Sequence, residues 1–263
     1  MEKRNYICDA ASGMPKGMSQ GVKQCLQYFF TRTSTEMNKF TEKNRFIELL
    51  NYNPQLILML PRFGMKLGFG EKRVGEICKM NDVPVFMFLL LCNVYSFDDY
   101  MPSDEEIKEI EGKTLVDYLV ASHDYYLNHR LKHIEKHIVK IANEAGKIGN
   151  VLLQFFKEYE GEVASHFKTE EEKIFPFIAN EKSGINPDEV DIRTVSKSHD
   201  NMGDKLSDLT NIIIKYLPSE IMPNERIGVW FDIIQLSKDL DKHAIVEEKI
   251  LMPYIKWIKG LDS

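Results

Sequence analysis

The stretch His166-Phe167-Lys168-Thr169-Glu170-Glu171 has an echo in His243-Ala244-Ile245-Val246-Glu247-Glu248. A separation of four residues sets His and Glu one above the other on one face of an α-helix, so a single element offers an imidazole and a carboxylate to the same point in space. The likeness runs on past the pair. Each copy has Pro ten residues after its His, an aromatic residue at eleven and Ile at twelve: Pro176, Phe177 and Ile178 in one, Pro253, Tyr254 and Ile255 in the other. Two ordinary amphipathic helices would match a His in phase only by chance, so the pattern argues for duplication of a ligand-bearing helix end.

Around this pair, helical periodicity extends over four long segments, 114–144, 147–180, 188–217 and 224–259. The connections between them are short, which places consecutive helices antiparallel and predicts an up-down-up-down four-helix bundle over residues 113–260. No useful stretch has the strand period, so the fold class is all-α. A small helical domain is expected over 41–97: an apolar set at Phe46, Ile47, Leu49 and Leu50, then Asn53-Pro54 as cap and first helical residue, a turn with Gly64, Gly68 and Gly70, and two further helices. Residues 98–112 read as an acidic linker in which Ser103 and Glu106 form a capping box. Residues 1–40, interrupted by Gly13, Pro15, Gly17 and Gly21, form an N-terminal extension without a functional reading.

In an antiparallel hairpin, residues equidistant from the turn lie at one height. About a turn near 146, His123 is level with His166 and Glu170; about a turn near 220, His199 is level with His243 and Glu247. Each hairpin thus delivers two His and one Glu to one depth of the bundle, a set that suits two metal ions with carboxylates free to bridge, iron ahead of manganese. Asp124 is the alternative on the first helix should His123 point away. His129, His133 and His137 also have helical spacing and can be read as a metal clasp, but they lie ~9–21 Å nearer the turn at 1.5 Å per residue. They are expected to be a solvated or partly buried stripe.

Composition limits the alternatives. A net charge of −6 without clustered Lys and Arg argues against a nucleic-acid surface. The longest apolar run, residues 83–92, is too short for a bilayer, so no membrane partner is expected, and no apolar segment follows Lys3 and Arg4, so no secretory signal is expected. Cys8, Cys25, Cys78 and Cys92 are too widely spaced for a zinc site or a disulfide framework. The expectation is a cytoplasmic, reduced protein.

With these residues in hand, the chain resembles the hemerythrin-like di-iron domain in the form found in iron–sulfur cluster repair proteins, the RIC family. The resemblance rests on His166 to Glu171 with Phe175-Pro176, on His243 to Glu248 with Met252-Pro253, on Ser198-His199-Asp200 and on Ser122-His123-Asp124. It extends over about residues 45–257 and takes in Leu60-Pro61-Arg62-Phe63-Gly64-Met65 and Gly70-Glu71-Lys72. It implies two non-haem Fe ions held by His123, His166, His199 and His243 and bridged by Glu170 and Glu247. It also implies O2 or NO as the gaseous ligand, damaged iron–sulfur proteins as partners, and a role in nitrosative or oxidative stress. One departure matters. Where the family has a Cys-Cys pair in the N-terminal turn, this chain has Gly68-Phe69.

Overall fold

The computed structural model describes residues 39–179 and 192–260, without the side chains of 192–201. The described residues from Phe40 onward belong to one compact unit. The described residues contain α-helices, one short 3-10 segment, π-type turns at Tyr125–Arg130, Ile212–Tyr216 and Glu247–Leu251, and no strand; an isolated bridge joins Arg45 and Arg73. The all-α architecture expected from periodicity is the one observed.

The N-terminal helices are α1 (Phe46–Tyr52), α2 (Met59–Arg62), α3 (Val74–Met80), α4 (Val85–Ser96) and α5 (Asp104–Lys108). Each boundary has a local cause. Asn53 accepts a hydrogen bond from the amide of Gln55, and Pro54 opens the 3-10 turn Pro54–Leu58 that leads into α2. Gly64, Gly68 and Gly70 all have positive φ, so the reversal between α2 and α3 uses a conformation that side chains disfavour. Ser103 and Glu106 form the anticipated capping box at the start of α5. Helix α4 is apolar nearly all round, as a helix covered on several sides must be. Its one buried amide, Asn93, is satisfied by accepting from the backbone N–H of Phe40 at 2.6 Å.

The bundle begins with α6 (Gly112–Asp124), passes through a π-type turn at Tyr125–Arg130 and continues as α7 (Leu131–Glu144). Helix α8 (Gly146–Lys173) returns, ending in the short α9 (Phe175–Ala179). Helices α10 (Ile192–Asn211) and α11 (Pro223–Val246) complete the ring; a π-type turn at Glu247–Leu251 joins α11 to α12 (Met252–Ile258). Helix α8 packs on α7 and α10, and α11 packs on α10 and α7, so each long helix has two neighbours. Leu131, Ile134, Ile138 and Ile141 meet Leu152, Phe156, Tyr159 and Val163 across the first hairpin, with Leu206, Leu209, Ile233 and Leu236 closing the core. The three- and four-residue steps keep each set on one helical face, and each such side chain contributes roughly 1.5–3 kcal/mol on burial.

Two contacts fix the geometry of the ends. Gly149 lies so close to α7 that a β-carbon there would stand 2.7 Å from the Cα and carbonyl carbon of Ala142. Glycine is required for this approach. Arg226, buried at the start of α11, donates to the carbonyls of Ile213 and Pro218 at 2.9 and 2.7 Å. It thereby satisfies acceptors that the end of the preceding helix leaves open.

The N-terminal helices reach the bundle through α2 on α6 and α4 on α11. At the centre of this contact lies Arg62, whose guanidinium is fully buried and 2.5 Å from the carboxylate of Asp239. It also donates to the Tyr95 hydroxyl at 3.3 Å and lies 5.0 Å from the ring centre of Tyr126. The Tyr95 hydroxyl is in turn 2.9 Å from that of Tyr118.

Candidate metal centre

The ligand residues reach one another because three helices present them on inward faces at one depth. His123 comes from the last turn of α6, His166 and Glu170 from α8, and His243 from the last turn of α11, with Glu247 opening the π-type turn beyond it. His123, Glu170, His243 and Glu247 are all buried, and one donor atom from each lies within 4.8 Å of the others.

The donors converge. Nε2 of His123 is 3.3 Å from Glu170 and 3.1 Å from Nε2 of His243. Nε2 of His166 is 3.3 Å from the other Glu170 oxygen, and Nε2 of His243 is 2.8 Å from Glu247. His199 lies on α10, but its side chain is outside the described residues. Asp124 points away: its side chain is largely exposed and accepts from Asn128 at 2.7 Å.

Outer contacts orient these groups. Nδ1 of His123 donates to Glu171 at 2.8 Å, which leaves the Nε2 lone pair directed inward. The ring of Phe167 stacks on His123 with centres 3.9 Å apart, and Phe175 stacks at 5.4 Å. Asp239, one turn before His243 on α11, receives Arg62, and its carbonyl accepts from the Tyr126 hydroxyl at 3.0 Å. Tyr126 packs edge-on against His243 at 5.6 Å.

The electrostatics of the protein alone are unfavourable at this point. Burial pushes the His123 imidazole down to about 2, with the neighbouring His243 acting in the same direction. Burial, then Glu247 and Glu171, push the Glu170 carboxyl well above its usual range. Both Glu170 oxygens are buried without a hydrogen bond. A neutral His123 imidazole beside the desolvated Glu170 carboxyl is a state that protein atoms leave poorly satisfied and a cation satisfies. The donor set therefore fits a metal.

Beside His243 lies a cavity of about 30 Å³, bounded by Phe167, Leu206, Leu240 and Ala244 and, on its polar side, by Ser237 and Asp241. It has room for one water-sized molecule.

The family model for the hemerythrin HHE cation-binding domain matches residues 114–255. The chain belongs to the hemerythrin HHE family. The match takes in most of the bundle and all six predicted ligand positions.

The hemerythrin-type site also contains residues to which the sequence analysis gave no ligand role. Glu171 serves His123 from outside, and Asp239 joins the ligand helix to Arg62. Asp239 had a legible signal, since Asp239, His243 and Glu247 follow one another at intervals of four. The equivalent position in the other copy is Glu162, which is exposed and paired with Lys205, so the repeat ends there. Outside the bundle, Cys78 and Cys92 are buried and free. Burial pushes the Cys78 thiol up to about 12 and Cys92 well above the ordinary thiol range, which suppresses thiolate chemistry at both. Cys8 and Cys25 lie outside the described residues. No helix among the described residues is long and apolar enough to cross a membrane.

Proposed function

We propose that this hemerythrin-family protein holds two non-haem iron ions and uses them to take up O2 or NO, in the manner of cluster repair proteins under nitrosative or oxidative stress. The observation that carries this reading is the buried His123, Glu170, His243 and Glu247 cluster, with Glu170 lacking any hydrogen bond. His123, His166 and His243, joined by His199 from α10, would hold the iron through their imidazoles, and Glu170 and Glu247 would hold it through their carboxylates. When bound, iron would supply ferrous redox chemistry toward a diatomic ligand.

The residues of the chain set the conditions for that chemistry. Glu171 holds His123 in the tautomer that presents Nε2 inward. Phe167 and Phe175 stack against the His123 imidazole, which is buried. The cavity beside His243 matches a diatomic molecule in size and has mostly apolar walls. In this reading residues 113–260 are the metal-binding module and residues 41–97 meet the protein partner, such as a damaged iron–sulfur protein.

A second reading, reversible binding or sensing of O2 or NO without turnover, is favoured by Gly68-Phe69 standing in place of a dithiol and by the suppressed thiols of Cys78 and Cys92.

Metal content with the optical spectrum of anaerobically reduced protein, then of protein exposed separately to O2 and to NO, tests both. About two irons per chain, the number the six donors suit, and a spectrum that responds to either gas are expected. Consumption of the gas marks the repair type, and reversible binding marks the sensor. Protein that takes up no iron overturns both.

A further inference from the structure

A second group of metal-ligating side chains lies on the bundle surface, where α7 meets α11. His133 and His137 are one turn apart on α7, with ring centres 4.6 Å apart. Asp232 faces them from α11, and one donor atom from each of the three lies within 4.8 Å of the others. All three are partly accessible, with His133 about half exposed. Asp232 is eleven residues before His243, which sets this group ~16 Å along α11 from the buried cluster.

The outer contacts resemble those of a built site. Arg130 donates to Oδ1 of Asp232 at 3.3 Å, which leaves Oδ2 as the oxygen turned to His133, with Nε2 3.3 Å away. Two donors on tetrahedral zinc, with bonds of about 2.05 Å, stand about 3.3 Å apart. Nδ1 of His137 donates to Glu225 at 2.6 Å, which fixes its tautomer and leaves Nε2 as an acceptor. Lys140 also donates to Glu225, at 3.2 Å, and steadies it. The nearby cations Arg130 and Lys140 each bind an outer or non-ligating oxygen, so they orient the carboxylates.

We propose that His133, His137 and Asp232 form an accessory site for one divalent zinc-type ion, with Glu225 as positioning residue and solvent completing the shell. Such an ion bridges α7 and α11, helices of the two different hairpins, and so clasps the bundle at its surface. The proposal does not depend on what the buried cluster holds.

The test is calorimetric titration of the full-length chain with Zn2+, before and after iron loading, comparing wild type with His133→Ala, His137→Ala, Asp232→Ala and Glu225→Gln. Circular dichroism checks that each variant folds. The wild type is expected to bind one equivalent that each of the three alanine variants lacks, while iron content stays unchanged. Glu225→Gln is expected to weaken that equivalent roughly 10–100-fold, as loss of an outer-shell partner does. An equivalent that survives Asp232→Ala would reduce the site to a pair of surface histidines and overturn the proposal. So would identical Zn2+ stoichiometry in the wild type and all three alanine variants.

Discussion

Replacing Arg62 by Met removes the cation that, alone among the described residues, pairs with the Asp239 carboxylate, in a position where neither partner meets solvent: their side chains are 0% and 3% exposed. Methionine keeps much of the volume but loses the 2.5 Å ion pair, the bond to Tyr95 and the stacking over Tyr125 and Tyr126. An exposed pair of this kind would contribute at most about 1 kcal/mol. A buried pair broken on one side leaves an uncompensated charge, and the expected destabilisation is about 3–5 kcal/mol. For a unit of this size that corresponds to a fall of roughly 6–20 °C in Tm. Urea and thermal unfolding of Arg62→Met, Asp239→Leu and the double variant give the assay. Replacing both partners by apolar residues is expected to recover most of the loss, because the double variant buries no charge. A loss below about 1 kcal/mol in Arg62→Met, or a double variant no better than the worse single, would refute the reasoning. Asp239 is also one helical turn from His243, so Arg62→Met is expected to loosen metal as well, read as faster release to a chelator.

The remaining expectations concern the buried cluster and the first hairpin. Glu170→Gln removes a carboxylate that burial holds well above its usual pKa. The metal-free protein should therefore unfold at the same or higher urea, while metal stoichiometry falls; lower stability without metal loss would contradict this. Glu171→Ala removes the acceptor on His123 and should weaken metal binding about 10–100-fold at unchanged stoichiometry, measured by competition with a chelator. The pH dependence of the metal-free chain should have two opposed parts. His123, lowered to about 2 from 6.5, binds fewer protons folded than unfolded, so its contribution is present above pH 6.5 and lost as pH falls below it. Glu170, raised from 4.5, binds more protons folded, so stability is lost as pH rises above 4.5. Urea midpoints of the wild type should fall above pH 6.5, and Glu170→Gln should flatten that fall; an unchanged slope would refute the assignment. Gly149→Ala should destabilise by about 1–3 kcal/mol through the clash with Ala142, despite a helix-propensity gain of about 1 kcal/mol. A Tm above wild type would show that the helices can part there.

The paired His and Glu at intervals of four, the apolar steps along each long helix and the short connections specified an all-α hairpin ring, because helix period and loop length are local properties of a chain. The same local information set His123 level with His166 and Glu170, and the structure brings these three together with His243 and Glu247. Sequence could not show which neighbour a side chain meets across the bundle. The π-type turns at Tyr125–Arg130 and Glu247–Leu251 reset the helical phase next to the cluster, and nothing in the periodicity of residues 114–144 or 224–259 marks them. Glu171 bonding His123 and Arg62 reaching Asp239 depend on the approach of helices distant in the chain, with 177 residues separating the second pair. Likewise, the His133 and His137 stripe gained an aspartate partner only when α11 packed beside α7. Local spacing fixes what one helix face carries, whereas the facing residue, its burial and its charge are decided by packing.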